Sequence, residues 1–318
     1  MKELLNKTHR QIFCYNKDIG HLFVPNLNAR IMNENGGYYV RTNSLGFRSD
    51  VEFKEKKGDK PRILFFGDSN TAADGVSNNE RFSELVGKHF NAEVYNFALS
   101  GSGTDQQYLI CKKYAQKIEA DLIVFGILVD NIERNKVAYR ETINPYTKKN
   151  VLTPKPYFKF EKGKLKLSNS PVPRIKSNLK EIDPHMVQWA VPRGQELIYK
   201  LIAWWRKNKV LKPIRNNFKP FIKRLRSLLI RMAYQPYSDY GNPTSEGHLL
   251  MKEIIGEFIN SVSPIPTIIL PIPTYHYYVD GAKPIYKQFF NYFHDSAKNV
   301  HVLDLLEQIK NIDYAKRQ

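Results

Sequence analysis

Cysteine is scarce in this 318-residue chain, which contains only Cys14 and Cys111. Two cysteines so far apart exclude the disulfide framework of small secreted domains, and the chain has no CxxC metal or redox motif. No apolar run approaches the roughly 20 residues that span a bilayer, and Met1–Gly20 lacks the apolar core of a signal peptide. These absences predict a reducing compartment, either the cytoplasm or the inner face of a membrane to which the protein binds peripherally.

Acidic residues are also few. Asp and Glu number 31 against 49 Lys and Arg, so the formal net charge is +18. This excess favours partners that carry negative charge, namely anionic glycans, lipid headgroups or nucleic acid, although a solvated basic surface would have the same composition. The sequence has no zinc-ligand spacing, no Walker loop, no GxGxxG after a strand and no nucleic-acid-binding motif. We therefore expect no metal, no cofactor and no nucleic-acid partner, and we keep an anionic membrane surface as a candidate partner.

Five short apolar runs each predict a buried strand. They are Ile63–Phe66, Val94–Phe97, Leu122–Phe125, Thr267–Leu270 and Val300–Leu303. Helical periodicity falls between most of them, at Arg81–Phe90, Asp105–Glu119, Glu246–Ile259 and Pro284–Asn299. This alternation predicts an α/β fold with a doubly wound, flavodoxin-like parallel sheet of about five strands, helices on both faces and a large insertion. In such sheets the chemistry lies beyond the carboxyl ends of the strands.

The alternation stops between residues 133 and 240, which we interpret as an insertion or cap. The expected organisation is a lead-in segment over residues 1–60, an α/β core over 61–132 and 241–318, and the insertion between the two core segments. Within the insertion, Arg206–Arg231 is rich in Lys and Arg and contains no acid. Its apolar residues recur at helical spacing, which predicts an amphipathic basic helix broken at Pro213 and Pro220. That helix would contact anionic lipid or a polyanionic glycan, or would cover the core with its basic face in solvent.

Small and polar residues follow three of the predicted strands. Gly67-Asp68-Ser69 comes directly after the first strand, where a serine with small neighbours can present a nucleophilic hydroxyl at the sheet edge. The loop after the second strand contains Gly101 and Gly103, and glycine allows a backbone N–H to approach a developing oxyanion closely. The third strand leads into Asp130 and Asn131. All three groups are expected at the same edge of the sheet.

These three blocks resemble those of the SGNH/GDSL hydrolase superfamily, in which four short blocks supply Ser, Gly, Asn and His. Val40–Arg48 also looks like the lead-in segment before the nucleophile in many bacterial members, and Lys155–Phe158 with Leu165–Pro173 resembles their insert. The matches together cover roughly residues 20–175, with weaker matching to about residue 305. The resemblance implies that Ser69 is the nucleophile. It also implies an oxyanion hole formed by the Ser69 N–H, the Gly101 N–H, with Gly103 as the alternative, and the Asn131 side chain.

The third block departs from the usual Gly-x-Asn-Asp of the family and looks closer to a variant branch that ends this strand in an acid followed by an asparagine. On that alignment Asn131 supplies the side-chain donor. Asp130 is the poorer candidate, because a carboxylate would repel the negative charge that it faces.

The family's fourth block, Asp-x-x-His after the last strand, is not found. No histidine follows His301, which lies in or beside the last predicted strand. Two substitutes remain open as the base: His248, at the start of a predicted helix that Thr244 or Ser245 would cap, and His276, just past the fourth strand. We expect the sequence to be a piece of a longer enzyme whose histidine block lies downstream. A domain that has lost its base is the alternative.

The resemblance therefore implies an ester hydrolase or acyl transferase, either an esterase or an O-acyl transferase or deacetylase. Its substrate would be an acyl ester, such as an O-acetyl group on a surface polysaccharide. The alternative is a non-catalytic module of the same fold that binds a glycan or an anionic surface. The sequence has no pattern that indicates an oligomeric state.

Overall fold

The computed structural model describes residues 12–32, 36–143, 150–161, 163–174, 182–188, 237–279, 281–296 and 298–312. Two antiparallel hairpins come first: β1 (Phe13–Asn16) pairs with β2 (Gly20–Phe23), and β3 (Asn28–Ile31) pairs with β4 (Tyr38–Arg41). The sequence predicts only a lead-in segment here. Buried side chains of β2 join the main core, so the lead-in is packed against the rest of the protein.

The later strands follow in chain order. They are β5 (Arg62–Phe66), β6 (Glu93–Asn96), β7 (Leu122–Leu128), β8 (Tyr139–Ile143), β9 (Asn150–Pro154), β10 (Tyr157–Glu161), β11 (Lys164–Ser168), β12 (Val187–Gln188), β13 (Thr267–Ile272) and β14 (Val300–Val302). The described α-helices are α1 (Ser69–Ala72), α2 (Phe82–Phe90), α3 (Thr104–Ile110), α4 (Asn131–Arg134), α5 (Glu246–Val262), α6 (Tyr275–Tyr278), α7 (Tyr286–Ser296) and α8 (Leu306–Asn311). A π-helical turn, Cys111–Ala115, extends α3.

The central sheet has five parallel strands in the order β14-β13-β7-β5-β6. This is the flavodoxin-like order, so the predicted fold class is confirmed. Each predicted apolar run forms one of these strands, and β7 and β13 continue past the predicted ends. The chain runs from β5 outward to β6 and then crosses to β7 on the other side. The loops after β5 and β7 therefore border the crevice at which doubly wound sheets bind ligands.

Helices cover both faces of the sheet because side chains alternate along each strand. On one face, Phe66 and Phe125 pack against Phe258 of α5, with ring centroids 5.2 and 3.9 Å apart. On the other face, Phe65 meets Phe82 at the start of α2, with centroids 5.7 Å apart. Every residue of β5 is buried, as expected for a central parallel strand.

The described part of the predicted insertion contains short strands. β8 pairs antiparallel with β9 and parallel with β12, and β10 and β11 form a hairpin. The predicted basic helix at Arg206–Arg231 lies outside the described residues, and the predicted domain division remains a prediction. Among the helices that the structure describes, none combines the length and the apolar character needed to cross a bilayer.

Candidate active site

The loops after β5 and β6 lie against each other at the carboxyl edge of the sheet. The Leu99 N–H donates to the Gly67 carbonyl at 2.9 Å. The Gly67 N–H in turn donates to Gln107 Oε1 at 3.0 Å, and Gln107 Nε2 donates to Ser102 Oγ at 2.5 Å. These buried hydrogen bonds fix the position of one loop relative to the other.

A single guanidinium, that of Arg134 in α4, contacts all three loops. Its Nη1 lies 3.3 Å from Asp68 Oδ2 and donates to the Ser102 carbonyl, also at 3.3 Å. Its Nη2 lies 3.2 Å from Asp130 Oδ2. Asp68 follows β5, Ser102 follows β6 and Asp130 follows β7. The three loops therefore lie together at one edge of the sheet.

Ser69 begins helix α1, and Asp68 caps that helix. Asp68 Oδ1 accepts hydrogen bonds from the N–H and the side-chain amide of Asn70, at 3.0 and 3.2 Å. Such caps fix where a helix starts. The Ser69 side chain is partly exposed, and neither its hydroxyl nor its N–H donates to a described residue. Ser69 thus begins a capped helix, and its hydroxyl donates to none of the residues that the structure describes.

Asp68 itself is buried completely. Burial raises the pKa of its carboxyl above the ordinary value, while the Arg134 charge and the hydrogen bonds from Asn70 oppose that rise. Because its oxygens are taken by Asn70 and Arg134, the role that the geometry gives Asp68 is to hold the loop.

Thr71 explains why two glycines stand at this edge. A Cβ on Gly67 or on Gly126 would lie less than 3.0 Å from Thr71 Oγ1, and on Gly67 it would also lie 2.7 Å from the Gly126 carbonyl oxygen. The buried side chain of Thr71 fills the space that these glycines leave. Only glycine at positions 67 and 126 therefore allows this close approach of β5 and β7 to α1.

Arg48, from the segment that resembles the family's lead-in, secures the other end of α1. It is completely buried, and it donates to the carbonyl oxygens of Ala72, Ala73 and Val76 at 2.8, 3.1 and 2.7 Å. Burial, followed by the nearby charge of Arg81, lowers the pKa of Arg48 to about 10, so it stays protonated at neutral pH. Sequence reasoning gave Arg48 no role, because its partners lie 24 to 28 residues away.

The loop after β6 turns at Gly101, where φ is +81°. The preceding residue, Ser100, donates to Asp74 Oδ1 at 2.6 Å, and the Asp74 N–H donates to the Ser69 carbonyl at 3.0 Å. The Gly101 N–H donates to no described residue, whereas the Gly103 N–H donates to Gln106 Oε1 at 3.0 Å. Of the two glycines left open by the sequence, Gly101 is therefore the one whose N–H is not engaged by the described part of the chain.

Asn131, the first residue of α4, is buried with 1% of its surface exposed. Its Oδ1, an acceptor, is buried without a hydrogen-bond partner, and its Nδ2 donates to no described residue. Leaving a buried acceptor unpaired costs about 1–3 kcal/mol. The neighbouring Asp130 carboxylate is engaged with Arg134 instead.

A buried ion pair lies behind these loops. Lys155 and Asp105 are 3% and 0% exposed and form a hydrogen-bonded pair. Burial raises the pKa of Asp105 and lowers the pKa of Lys155, while the attraction between the two charges opposes both shifts. Asp105 Oδ1 also accepts from the Gln106 N–H at 2.8 Å, which ties the pair to the start of α3.

The candidate histidines lie in other surroundings. Ser245 caps α5 by accepting from the His248 N–H at 3.3 Å, which confirms the predicted cap. The His248 ring lies 3.2 Å from the Asp239 carbonyl oxygen and packs edge-on against Phe289. The ring of His276, in α6, lies tilted against that of Tyr275, with centroids 4.0 Å apart. Among the described residues, no histidine forms a hydrogen bond with Ser69.

Comparisons with known proteins find a weak structural similarity. No family model matches the chain, and no curated protein matches it. Among solved structures, the chain is similar to an acetyl xylan esterase, Est2A, from the rumen bacterium Butyrivibrio proteoclasticus, at 10% identity and a TM-score of 0.34. The alignment covers 81% of this chain and 58% of that esterase, so the chain spans little more than half of the esterase's length. A similarity of this size carries no argument about activity.

Proposed function

We propose that the chain is a serine-dependent acyl-ester hydrolase or acyl transferase of the SGNH type, with Ser69 as the nucleophile. Ser69 Oγ attacks the ester carbonyl carbon, its proton passes to a base, and the carbonyl oxygen becomes an oxyanion. The bond to the alcohol then breaks, the alcohol oxygen takes up the proton, and the acyl group remains on Ser69. Water completes a hydrolysis, and a second alcohol completes a transfer.

The observation that carries this proposal is the set of Arg134 contacts with the loops after β5, β6 and β7. Ser69 directly follows Asp68, Gly101 directly precedes Ser102, and Asn131 directly follows Asp130. The proposed donors to the oxyanion are the Ser69 N–H, the Gly101 N–H and the Asn131 Nδ2, and none of them donates to a described residue. Donors that are held in place but left unpaired are what oxyanion stabilisation requires.

The excess of positive charge supports an anionic polysaccharide as the carrier of the acyl ester. Binding of the basic segment Arg206–Arg231 to an anionic membrane surface stays a prediction. The base remains to be assigned: His248, His276 and a group outside the described residues are the candidates.

Acylation of Ser69 by an activated ester tests the proposal directly. p-Nitrophenyl acetate has a good leaving group, so the acylation step makes a weak demand on general acid catalysis. We expect intact-mass spectrometry to show one added acetyl group, peptide mapping to place it on Ser69, and Ser69→Ala to prevent it. Ser44→Ala is the matched control, because Ser44 is an exposed serine that donates to Glu52. Equal acetylation of the wild-type and Ser69→Ala proteins would exclude Ser69 as the nucleophile.

A non-catalytic glycan-binding module is the second candidate, and it is favoured because no described histidine forms a hydrogen bond with Ser69. In that case an O-acetylated anionic polysaccharide would bind equally well to the wild type and to Ser69→Ala in calorimetry, and neither protein would release acetate. Acetate release that requires Ser69 decides for the enzyme.

A further inference from the structure

The peptide unit between Ser100 and Gly101 is held from a distant part of the chain. His21, in β2, places its Nε2 at 2.9 Å from the Ser100 carbonyl oxygen, across a sequence separation of 79 residues. A carbonyl oxygen can only accept, so Nε2 carries the proton in this contact. The same planar peptide unit carries the Gly101 N–H. Any group that fixes the Ser100 carbonyl therefore also fixes the direction of the Gly101 N–H.

The His21 ring is itself held in place. β2 pairs with β1, and Tyr15 is the cross-strand partner of His21. The ring packs edge-on against Phe13 with centroids 5.2 Å apart. Burial is the main cause that lowers the pKa of His21 below its ordinary value; the hydrogen bond to Ser100 opposes that change, and the charge of Arg140 adds to it. The ring is therefore neutral at pH 7, with its proton on the nitrogen that faces Ser100.

The peptide unit on the other side of Gly101 is fixed by Arg140, whose Nη1 donates to the Gly101 carbonyl. A Cβ on Gly101 would lie 2.8 Å from the same nitrogen, so the guanidinium occupies the space beside this glycine. Burial, followed by the charge of Arg134, lowers the pKa of Arg140 to about 10, which leaves it charged at neutral pH. Gly101 thus lies between two anchored peptide units, although glycine is the residue with the greatest backbone freedom.

We propose that His21 is a positioning residue that aims the Gly101 N–H at the oxyanion, through its hydrogen bond to the Ser100 carbonyl. The inference rests on the proposed function. Oxyanion donors act only when they lie about 2.7–3.1 Å from the developing charge, so a small rotation of the Ser100–Gly101 unit removes the benefit. Donation to the carbonyl end of an amide also polarises the unit and strengthens its N–H as a donor.

The test compares His21→Phe and His21→Leu, which keep bulk but lose the donor, with His21→Gln, which keeps an N–H donor. Acetylation of Ser69 by p-nitrophenyl acetate is followed at several ester concentrations. In both non-donor variants we expect the maximal acylation rate to fall about 10-fold to 100-fold, with the half-saturating concentration within about twofold of wild type, because the oxyanion exists only after attack. His21→Gln should recover most of the rate.

Tyr15→Phe is the matched control. The Tyr15 hydroxyl donates to the Val172 carbonyl, so this variant also removes one side-chain hydrogen bond from the same hairpin. We expect it to acylate at the wild-type rate. Urea unfolding identifies any variant that does not fold. If either His21→Phe or His21→Leu fails to fold, the other still provides the comparison.

A second measurement does not depend on activity. Protein labelled with ¹⁵N-glycine gives an amide resonance for Gly101, which should move in His21→Phe and stay near its wild-type position in His21→Gln and Tyr15→Phe. If Ser69 is acylated and the non-donor variants react at the wild-type rate, the positioning role of His21 is wrong while the proposed function stands. A Gly101 resonance that does not move in His21→Phe also overturns the positioning role of His21. If Ser69→Ala is acylated like the wild type, the proposed function is wrong. The Gly101 resonance then still shows whether His21 fixes the Ser100–Gly101 peptide unit.

Discussion

Arg48 donates a hydrogen bond of 2.8 Å to the carbonyl oxygen of Ala72, the last residue of the helix that Ser69 begins. Removing this guanidinium leaves that carbonyl and those of Ala73 and Val76 without their buried donor. We expect Arg48→Met to lower the free energy of unfolding by about 2–4 kcal/mol. Urea denaturation followed by circular dichroism measures the change.

Arg41→Met is the control for the loss of charge. Arg41 is 59% exposed and lies 3.6 Å from Asp50, and exposed ion pairs contribute little to stability. Its unfolding midpoint should match that of the wild type. Equal midpoints for Arg48→Met and Arg41→Met would show that Arg48 does not support α1.

Gly126→Ala tests the close approach of β7 to α1. The new Cβ would lie less than 3.0 Å from Thr71 Oγ1, whose oxygen is buried and has no hydrogen-bond partner. We expect a loss of about 1–3 kcal/mol from overpacking. Because the clash is with one hydroxyl, adding Thr71→Ala should restore much of the loss, which a double-mutant cycle of unfolding free energies would show.

Gly67→Ala should behave differently. Its Cβ would also lie 2.7 Å from the Gly126 carbonyl oxygen, a backbone atom that cannot move away, so Thr71→Ala should give little rescue. Gly256→Ala is the control, because no atom lies within 4 Å of a Cβ at this position in α5. That change should stabilise the protein by about 0.5–1 kcal/mol. Equal rescue of Gly67→Ala and Gly126→Ala would contradict this account of the site.

Lys155→Met should leave the buried Asp105 carboxylate without its counter-charge. Breaking a buried pair in this way costs about 3–5 kcal/mol. Burial already raises the pKa of Asp105, and loss of the lysine raises it further, so the folded variant holds a proton more tightly than the unfolded chain. Its stability is then greatest below the unfolded pKa and falls as the pH rises through the folded pKa. Urea unfolding should therefore show a larger deficit at pH 7.5 than at pH 5.

Lys166→Met provides the matched control, since Lys166 and Glu161 form an exposed pair with 63% and 48% of their side chains accessible. It should leave the unfolding midpoint unchanged at both pH values. A deficit for Lys155→Met that is the same at pH 5 and pH 7.5 would mean that Asp105 does not take up a proton.

The two cysteines should differ in reactivity. Cys111 is buried, and burial raises the pKa of its thiol to about 12, whereas Cys14 is partly exposed. A thiolate is the reactive form, so dithionitrobenzoate at pH 8 should modify one thiol in the native protein and two in urea. Cys14→Ser should abolish the native reaction. Two fast thiols in the native state would show that Cys111 is accessible.

The apolar runs predict the central sheet because its inner strands, β5 and β7, are buried almost throughout and so read as continuous hydrophobic segments. β1 to β4 escape prediction because each is only four residues long and carries polar residues among its apolar ones. The three loops at the carboxyl edge also follow from the sequence, since their positions depend on strand order alone.

The side chains that hold these loops in place could not be predicted from the sequence pattern. Arg48 and His21 act on backbone carbonyl groups that are distant in sequence, and one carbonyl looks like any other in a sequence. The choice between Gly101 and Gly103 depended on where the side chain of Gln106 folds back. The histidine block had a clear pattern to search for, and the described residues bring no histidine into hydrogen-bond contact with Ser69.

Arg134 limits how the edge of the sheet can change in length. Its contacts with Asp68, Ser102 and Asp130 are 3.2–3.3 Å long, and one added residue can displace a chain by about as much, roughly 3.3–3.6 Å. An insertion in any one of the three loops would detach it from the guanidinium. Grafted peptides and affinity tags therefore belong outside these three loops.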